Sequence, residues 1–242
     1  MDFLLATAIL IMFIAATVQG VSGFGRALIA APLTALIYPA DETVVIMIII
    51  GFVGGLAMVA QTFRHSHIKK VIPMILFGIP GVVAGVQVLS MLPVKELKIA
   101  MGVFVIISAV ILATGVRVKI KNGRLAYSIA GFIGGFTNGA LSFGGPPTVL
   151  FLQNQNEEKN AFRANLSIFF VIIGLVGMIS LFTKGMVTND LLFKSSVLSL
   201  PCILGTIFGN LLSHKLNEDA FRKIVFAILF ISGIMAVVLS VA

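Results

Sequence analysis

Charge is what this sequence has least of. Only 11% of its 242 residues are Asp, Glu, Lys or Arg, against about 25% in a soluble globular domain. Acidic residues are the scarcer half, nine against 17 basic ones. A single cysteine, Cys202, leaves no intrachain disulfide and no paired-cysteine metal motif. Tryptophan is absent, and histidine occurs only at 65, 67 and 214, each time beside charged residues in an expected loop. No carboxylate near His65 and His67 completes a ligand set, so the histidines read as surface groups near lipid headgroups and no metal is expected. A membrane-embedded enzyme would need a nucleophile–base pair or a metal set at depth. No Asp, Glu or His lies inside the apolar runs, so neither an enzyme nor a cofactor is expected.

What fills the chain is apolar: 59% of residues are hydrophobic and the mean hydropathy is +1.12. A soluble core of this size would not need so much, whereas a bilayer replaces water around most of the chain. The net charge of +8 would point to nucleic acid in a soluble protein. Here the basic residues cluster in short loops between apolar runs, as cytoplasmic membrane loops do. The expected partners are therefore a lipid bilayer and a small solute, with no nucleic acid. The start Met1-Asp2-Phe3 carries no basic n-region, and no cleavable signal is expected.

Stretches free of Asp, Glu, Lys and Arg cover 3–25, 27–40, 43–63, 71–94, 99–116, 125–156, 164–183, 195–213 and 224–242. A helical span takes about 20 residues. The stretches 43–63, 71–94, 99–116, 164–183, 195–213 and 224–242 fit one span each. Two regions do not: 3–40 is broken at Gly20-Val21-Ser22-Gly23-Phe24-Gly25, and 125–156 at Gly139-Ala140-Leu141-Ser142-Phe143-Gly144-Gly145-Pro146-Pro147.

The two breaks correspond. With Gln19-Gly20 set on Asn138-Gly139, Phe24-Gly25 falls on Phe143-Gly144. Further on, Gly51-Phe52-Val53-Gly54 resembles Gly174-Leu175-Val176-Gly177, and Pro80 resembles Pro201. The expected fold is all-α and membrane-integral, in two pseudo-symmetric repeats of about five hydrophobic elements, each opened by a glycine-broken or re-entrant hairpin. The first repeat is 1–117, the second 125–242, and 118–124 is a basic cytoplasmic linker. If 125–156 goes in and returns, the repeats are inverted and the loop Lys and Arg divide 12 inside to 4 outside. If it crosses once, the repeats are parallel and the division is 9 to 7. The basic-inside rule favours inversion. It puts Lys159, Arg163, Lys215, Arg222 and Lys223 inside, and Lys184 and Lys194 outside with the acidic loop 41–42.

Non-helical backbone survives at membrane depth only when buried in protein or lining a wet cavity, and paired broken segments in matching positions mark a transporter site. Glycine lets a ligand approach the backbone. Pro146-Pro147 suits the first turn of a half-helix, whose N-terminus offers free N–H groups and partial positive charge. Gln19, Ser22, Asn138, Ser142 and Thr148 add neutral polar groups. Arg26 follows the first break and stands between two uncharged runs, while every other charge lies in a loop or near a span end. An ionisable residue at depth suggests function, and a guanidinium grips an oxyanion with two hydrogen bonds. The plain alternatives are a kinked helix with glycines for close packing, and an arginine that snorkels or caps carbonyls. Gln61, Gln87, Asn165 and Asn210 read as helix–helix glue, with Asn165 also a candidate ligand.

The first motif, followed by Pro32 and Tyr38-Pro39, resembles the first-half motif of the TauE/SafE sulfite exporter family, and 139–147 is similar to its second-half motif. The resemblance covers nearly the whole chain. It implies a multi-pass permease of the bacterial inner membrane that moves sulfite, organosulfonates or related small anions. The expected substrate-binding residues are Gln19, Ser22, Gly23, Phe24, Gly25, Arg26, Asn138, Ser142, Phe143, Gly144, Gly145, Pro146, Thr148 and Asn165. Family members often carry a run of glycines in the first motif; here Phe24 interrupts it and Arg26 follows. An anion channel on the same hairpins is the alternative. A coupling ion, H⁺ or Na⁺, and a homodimer stay open.

Overall fold

A computed structural model of the chain describes residues 3–114, 123–153, 155 and 158–213. Most of the basic linker, the residues Lys215, Arg222 and Lys223, His214 and the expected span 224–242 lie outside the described residues. Among the described residues the secondary structure is helical, without strands. The order is α1 (Phe3–Ser22), α2 (Arg26–Thr34), α3 (Ala40–Thr62), α4 (Ile68–Leu89), α5 (Val94–Thr114), α6 (Arg124–Leu141), α7 (Gly145–Gln153), α8 (Lys159–Thr183) and α9 (Asn189–Leu212). A 3-10 turn, Phe63–His65, joins α3 to α4.

Five helices, α1, α3, α4, α8 and α9, are long and apolar enough to cross a bilayer. The expected spans 43–63, 71–94, 164–183 and 195–213 fall on the last four. The expected span 99–116 falls on α5, described to residue 114. The outer faces of these helices present Leu10, Leu76, Phe193, Leu200 and Leu211, each more than half exposed. Such a surface suits lipid and would be a liability in water. The chain is a multi-pass membrane protein.

The helices begin earlier than the uncharged stretches do. Asp41 and Glu42 form the first turn of α3, where the positive end of the helix dipole favours them. In α9 the Thr188 hydroxyl accepts from Leu191 N and caps the start. Helix α8 begins at Lys159 and carries Arg163 within its second turn, so Arg163 is not a loop residue.

The halves are interleaved rather than side by side. Helix α4 packs along α6, and α9 along α1. Both contacts run parallel. On α6, Gly131, Gly135 and Gly139 meet Met74, Gly78 and Val82 of α4 in order, and Gly205 and Gly209 of α9 meet Phe13 and Thr17 of α1. A Cβ on any of these glycines would enter the neighbouring backbone, so the small residues set the close approach. In contrast α3 and α8 run antiparallel: Ile48 meets Gly177, Phe52 meets Gly174, Gly55 meets Val171, and Thr62 meets Ser167.

Candidate functional site between two hairpin tips

Both predicted breaks are real. In the first, Gly23 (φ 88°) and Gly25 (φ 95°) hold left-handed backbone between α1 and α2, a conformation glycine adopts at no Cβ cost. In the second, the residue at Gly23's offset is Ser142, which takes the same left-handed region (φ 64°) as the C-cap of α6. Pro146 and Pro147 lie in the first turn of α7, as expected. Helix α7 then folds back along α6: Thr148 lies against Gly134, and the Tyr127 and Phe151 rings meet edge-on at 4.6 Å.

The two tips come together. A cavity of about 50 Å³ is lined by Gln19, Phe24, Gly25 and Arg26 from the first tip and by Asn138, Ser142, Phe143, Gly144 and Gly145 from the second. Gly145 faces Phe24 directly, a Cβ there lying 3.9 Å from the Phe24 Cβ. One water needs about 10–15 Å³ on this scale, so the space suits a group of only a few heavy atoms.

Arg26 is the charged member of the lining, and it is 6% exposed. Its Nε donates to Gln19 Oε1 at 2.9 Å, while Nη1 is buried without a hydrogen-bond partner. The Ser142 hydroxyl and Asn138 Oδ1, both from the opposite tip, are likewise buried and unpaired. An unmade buried hydrogen bond costs about 1–3 kcal/mol, more at a charge. Three of them on side chains that line one cavity from two halves is the arrangement expected of a binding site.

Not every predicted site residue faces this space. The Ser22 hydroxyl turns back onto the Val18 and Phe24 carbonyls. Thr148 is fully buried and donates to the Gly144 or Gly145 carbonyl. Gly23 packs against Arg163, and Pro146 is buried in the α7 turn outside the lining. Asn165 accepts from His67 N at 2.9 Å and ties α8 to the α3–α4 connection, so it too lies outside the cavity. Of the expected glue residues, Asn210 joins helices, whereas Gln61 and Gln87 bond to Ala57 and Met91 near in sequence.

Sequence reasoning missed several contributors. From α3, Gly51 and Gly54 leave room for the guanidinium: a Cβ on Gly51 would sit 2.9 Å from Arg26 Nη2. From α9, Cys202 reaches the same group. Met47 and Ile48 of α3, and Phe170 and Gly174 of α8, complete the wall. The signal was present in part, because Gly51 and Gly174 open the two matching four-residue repeats. The larger miss is Arg163, which is 2% exposed. It donates to the Gly20 carbonyl at 2.5 Å and to Asn210 Oδ1 at 2.6 Å. It caps the carbonyl end of α1 just before the first tip, the structural role once open to Arg26.

Membrane-crossing helices and two broken hairpins that meet around a buried guanidinium define a multi-pass membrane protein of the transport class. The family model for the sulfite exporter TauE/SafE matches residues 8–236, nearly the whole chain. The chain belongs to that family. No curated protein and no solved structure matches it.

Proposed function

We propose that the chain is a secondary transporter, an exporter of small anions such as sulfite or organosulfonates, and not an enzyme. The anion sits between the two hairpin tips near mid-membrane. The observation that carries this reading is Arg26 Nη1, buried and unpaired against a cavity built from both tips. Half-helix N-termini add positive polarity: Gly25, Arg26, Ala27 and Leu28 open α2, and Gly144 and Gly145 open α7, all of them lining residues. The family supports export of sulfite-like anions and lends no support to the channel alternative.

The halves, 1–117 and 125–242, act as inverted repeats in the bacterial inner membrane. The directions of packing support inversion. Helices α1 and α9 run together, α4 and α6 run together, and α3 opposes its counterpart α8, directions that fit inverted halves. The Lys194–Glu42 ion pair, 3.4 Å, joins the start of α9 to the start of α3 and supports the same reading. Transport follows from one hairpin-bearing bundle moving against the other about the bound anion.

The test is sulfite efflux from proteoliposomes holding the purified chain and its Arg26→Gln variant. The variant is expected to insert and to lose flux by about 10- to 100-fold, the worth of one or two charge-assisted hydrogen bonds. Flux equal to wild type would end the assignment of Arg26 as the anion ligand. Countertransport, in which external anion speeds efflux, separates a transporter from a channel.

A further inference from the structure

The three unpaired atoms describe the guest more narrowly than its sign. Arg26 Nη1 can only donate. The Ser142 hydroxyl can donate or accept, and the Asn138 amide oxygen can only accept. In the amide orientation of this structure, a fully ionised oxyanion, which has only acceptors, leaves Asn138 Oδ1 unmet. An oxyanion that retains one O–H satisfies all three: it accepts from Arg26 and Ser142 and donates to Asn138.

Charge gives the same answer independently. Among the described residues one guanidinium belongs to the cavity lining, and no Asp, Glu, His or Lys does. A monoanion neutralises that guanidinium. A dianion's second charge meets only the partial positive ends of α2 and α7, which fall short of a full cation, in a small, largely apolar space walled by Phe24, Phe143, Phe170, Met47, Ile48 and Leu28, where an underpaired charge is costly. The size agrees as well, since about 50 Å³ admits a group of a few heavy atoms and not a long-chain sulfonate.

We propose that the site selects the singly protonated monoanion of a small oxyacid, such as hydrogensulfite, over its dianion, so that the transported proton travels on the substrate. This rests on the anion-transporter reading above and refines it. No covalent chemistry is involved; the O–H proton stays on its oxygen, hydrogen-bonded to Asn138 Oδ1 during occupancy. The apolar runs carry no carboxylate to act as a proton relay, and a proton-bearing substrate needs none. Among the described residues Arg26 is the ionisable member of the lining, Cys202 of α9 lies against its guanidinium and Arg163 of α8 against Gly23; a probe with no proton to lose reports their pH response, and sulfite adds the ligand's own.

The experiment is calorimetric binding to the detergent-purified full chain, across pH, with three probes: sulfite, which gains or loses its last proton near neutrality; methanesulfonate, a monoanion without an O–H; and sulfate, a dianion. Sulfite affinity is expected to fall about tenfold per pH unit once the hydrogensulfite form is lost, methanesulfonate to bind about tenfold more weakly and without pH dependence, and sulfate to bind more weakly still. Asn138→Leu should bring hydrogensulfite and methanesulfonate affinities together. Sulfate binding as tight as hydrogensulfite, or sulfite affinity unchanged by pH, overturns this inference while leaving an anion site in place if Arg26→Gln still weakens both. No binding of any of the three probes overturns the inference and the anion-transporter reading together.

Discussion

The two hairpin tips are built to one plan and furnished differently. The first holds two left-handed glycines, a guanidinium, and an α2 N-terminus with all its free N–H groups. The second turns on a serine, Ser142, and its α7 N-terminus has prolines at 146 and 147, which remove two of those N–H groups. The positive polarity of the site therefore comes mainly from the first half, and the acceptor and the hydroxyl from the second. A perfectly symmetric pair of tips would offer the guest the same face twice. In the proposed site this asymmetry is what lets one small ion find both donors and an acceptor.

The difference extends to what holds each tip. The first has Arg163 of α8 bonded to the Gly20 carbonyl and packed on Gly23. The second is buttressed by packing: Phe143 is fully buried and stacks on Phe104 at 5.4 Å, and Gly139 lies on α4. Two buried arginines thus sit near one tip with opposite roles. Arg163 spends Nη2 on acceptors that the protein supplies and leaves Nε buried and unpaired outside the cavity lining, whereas the unpaired Nη1 of Arg26 belongs to a side chain that lines the cavity.

The largest effect expected from breaking this comparison is on stability. Arg163→Ala strands the Gly20 carbonyl and Asn210 and should cost about 3–5 kcal/mol, read as a fall of roughly 10 °C in thermal unfolding in detergent. A change of under about 2 °C would mean the clamp is ornamental. Arg26→Gln should do the reverse, losing anion-induced stabilisation while the unliganded midpoint holds within about 2 °C. Next in size is Gly23→Ala, which forces an L side chain into left-handed backbone and sets a Cβ 2.9 Å from Arg163 Cγ. A loss of about 1–2 kcal/mol is expected, with none for Gly145→Ala, whose nearest neighbour is at 3.9 Å. Smallest is Ser142→Gly. Relief of left-handed strain and added chain entropy nearly cancel, so stability should stay within about 0.5 kcal/mol. Transport should still fall several-fold, because the free hydroxyl is gone; unchanged flux would remove Ser142 from the site.

The breaks at 20–25 and 139–147 were legible in the sequence because glycine and proline runs contradict an apolar helix wherever they occur. Arg26 was legible because a lone charge between apolar runs has no local explanation. Helix starts were less so: cutting at charges discards Asp41, Glu42, Lys69 and Lys70, all of which sit in first turns where water or the dipole tolerates them. Arg163 was illegible for a stronger reason. Its partners lie 143 and 47 residues away, and near a span end it looks like any cytoplasmic arginine. Ser22 and Thr148 misled because hydroxyls beside a break have backbone carbonyls within reach, and these compete with any ligand. The pairing of α4 with α6 left a mark in the spacing of Gly131, Gly135 and Gly139, but such a stripe does not name its partner.

A shared anion site requires the two tips to meet. Cysteines at 24 and 145 would have Cβ atoms about 3.9 Å apart, close to the disulfide optimum. In a Cys202→Ser background, Phe24→Cys with Gly145→Cys is expected to lose both free thiols under mild oxidant, read by intact mass after alkylation. The bond should form more slowly with methanesulfonate bound, an anion that unlike sulfite neither cleaves disulfides nor consumes oxidant, and it should stop methanesulfonate efflux until reduced. Two thiols that stay free and fully alkylated under oxidant would show that the tips do not touch, and the shared anion site would fall with them.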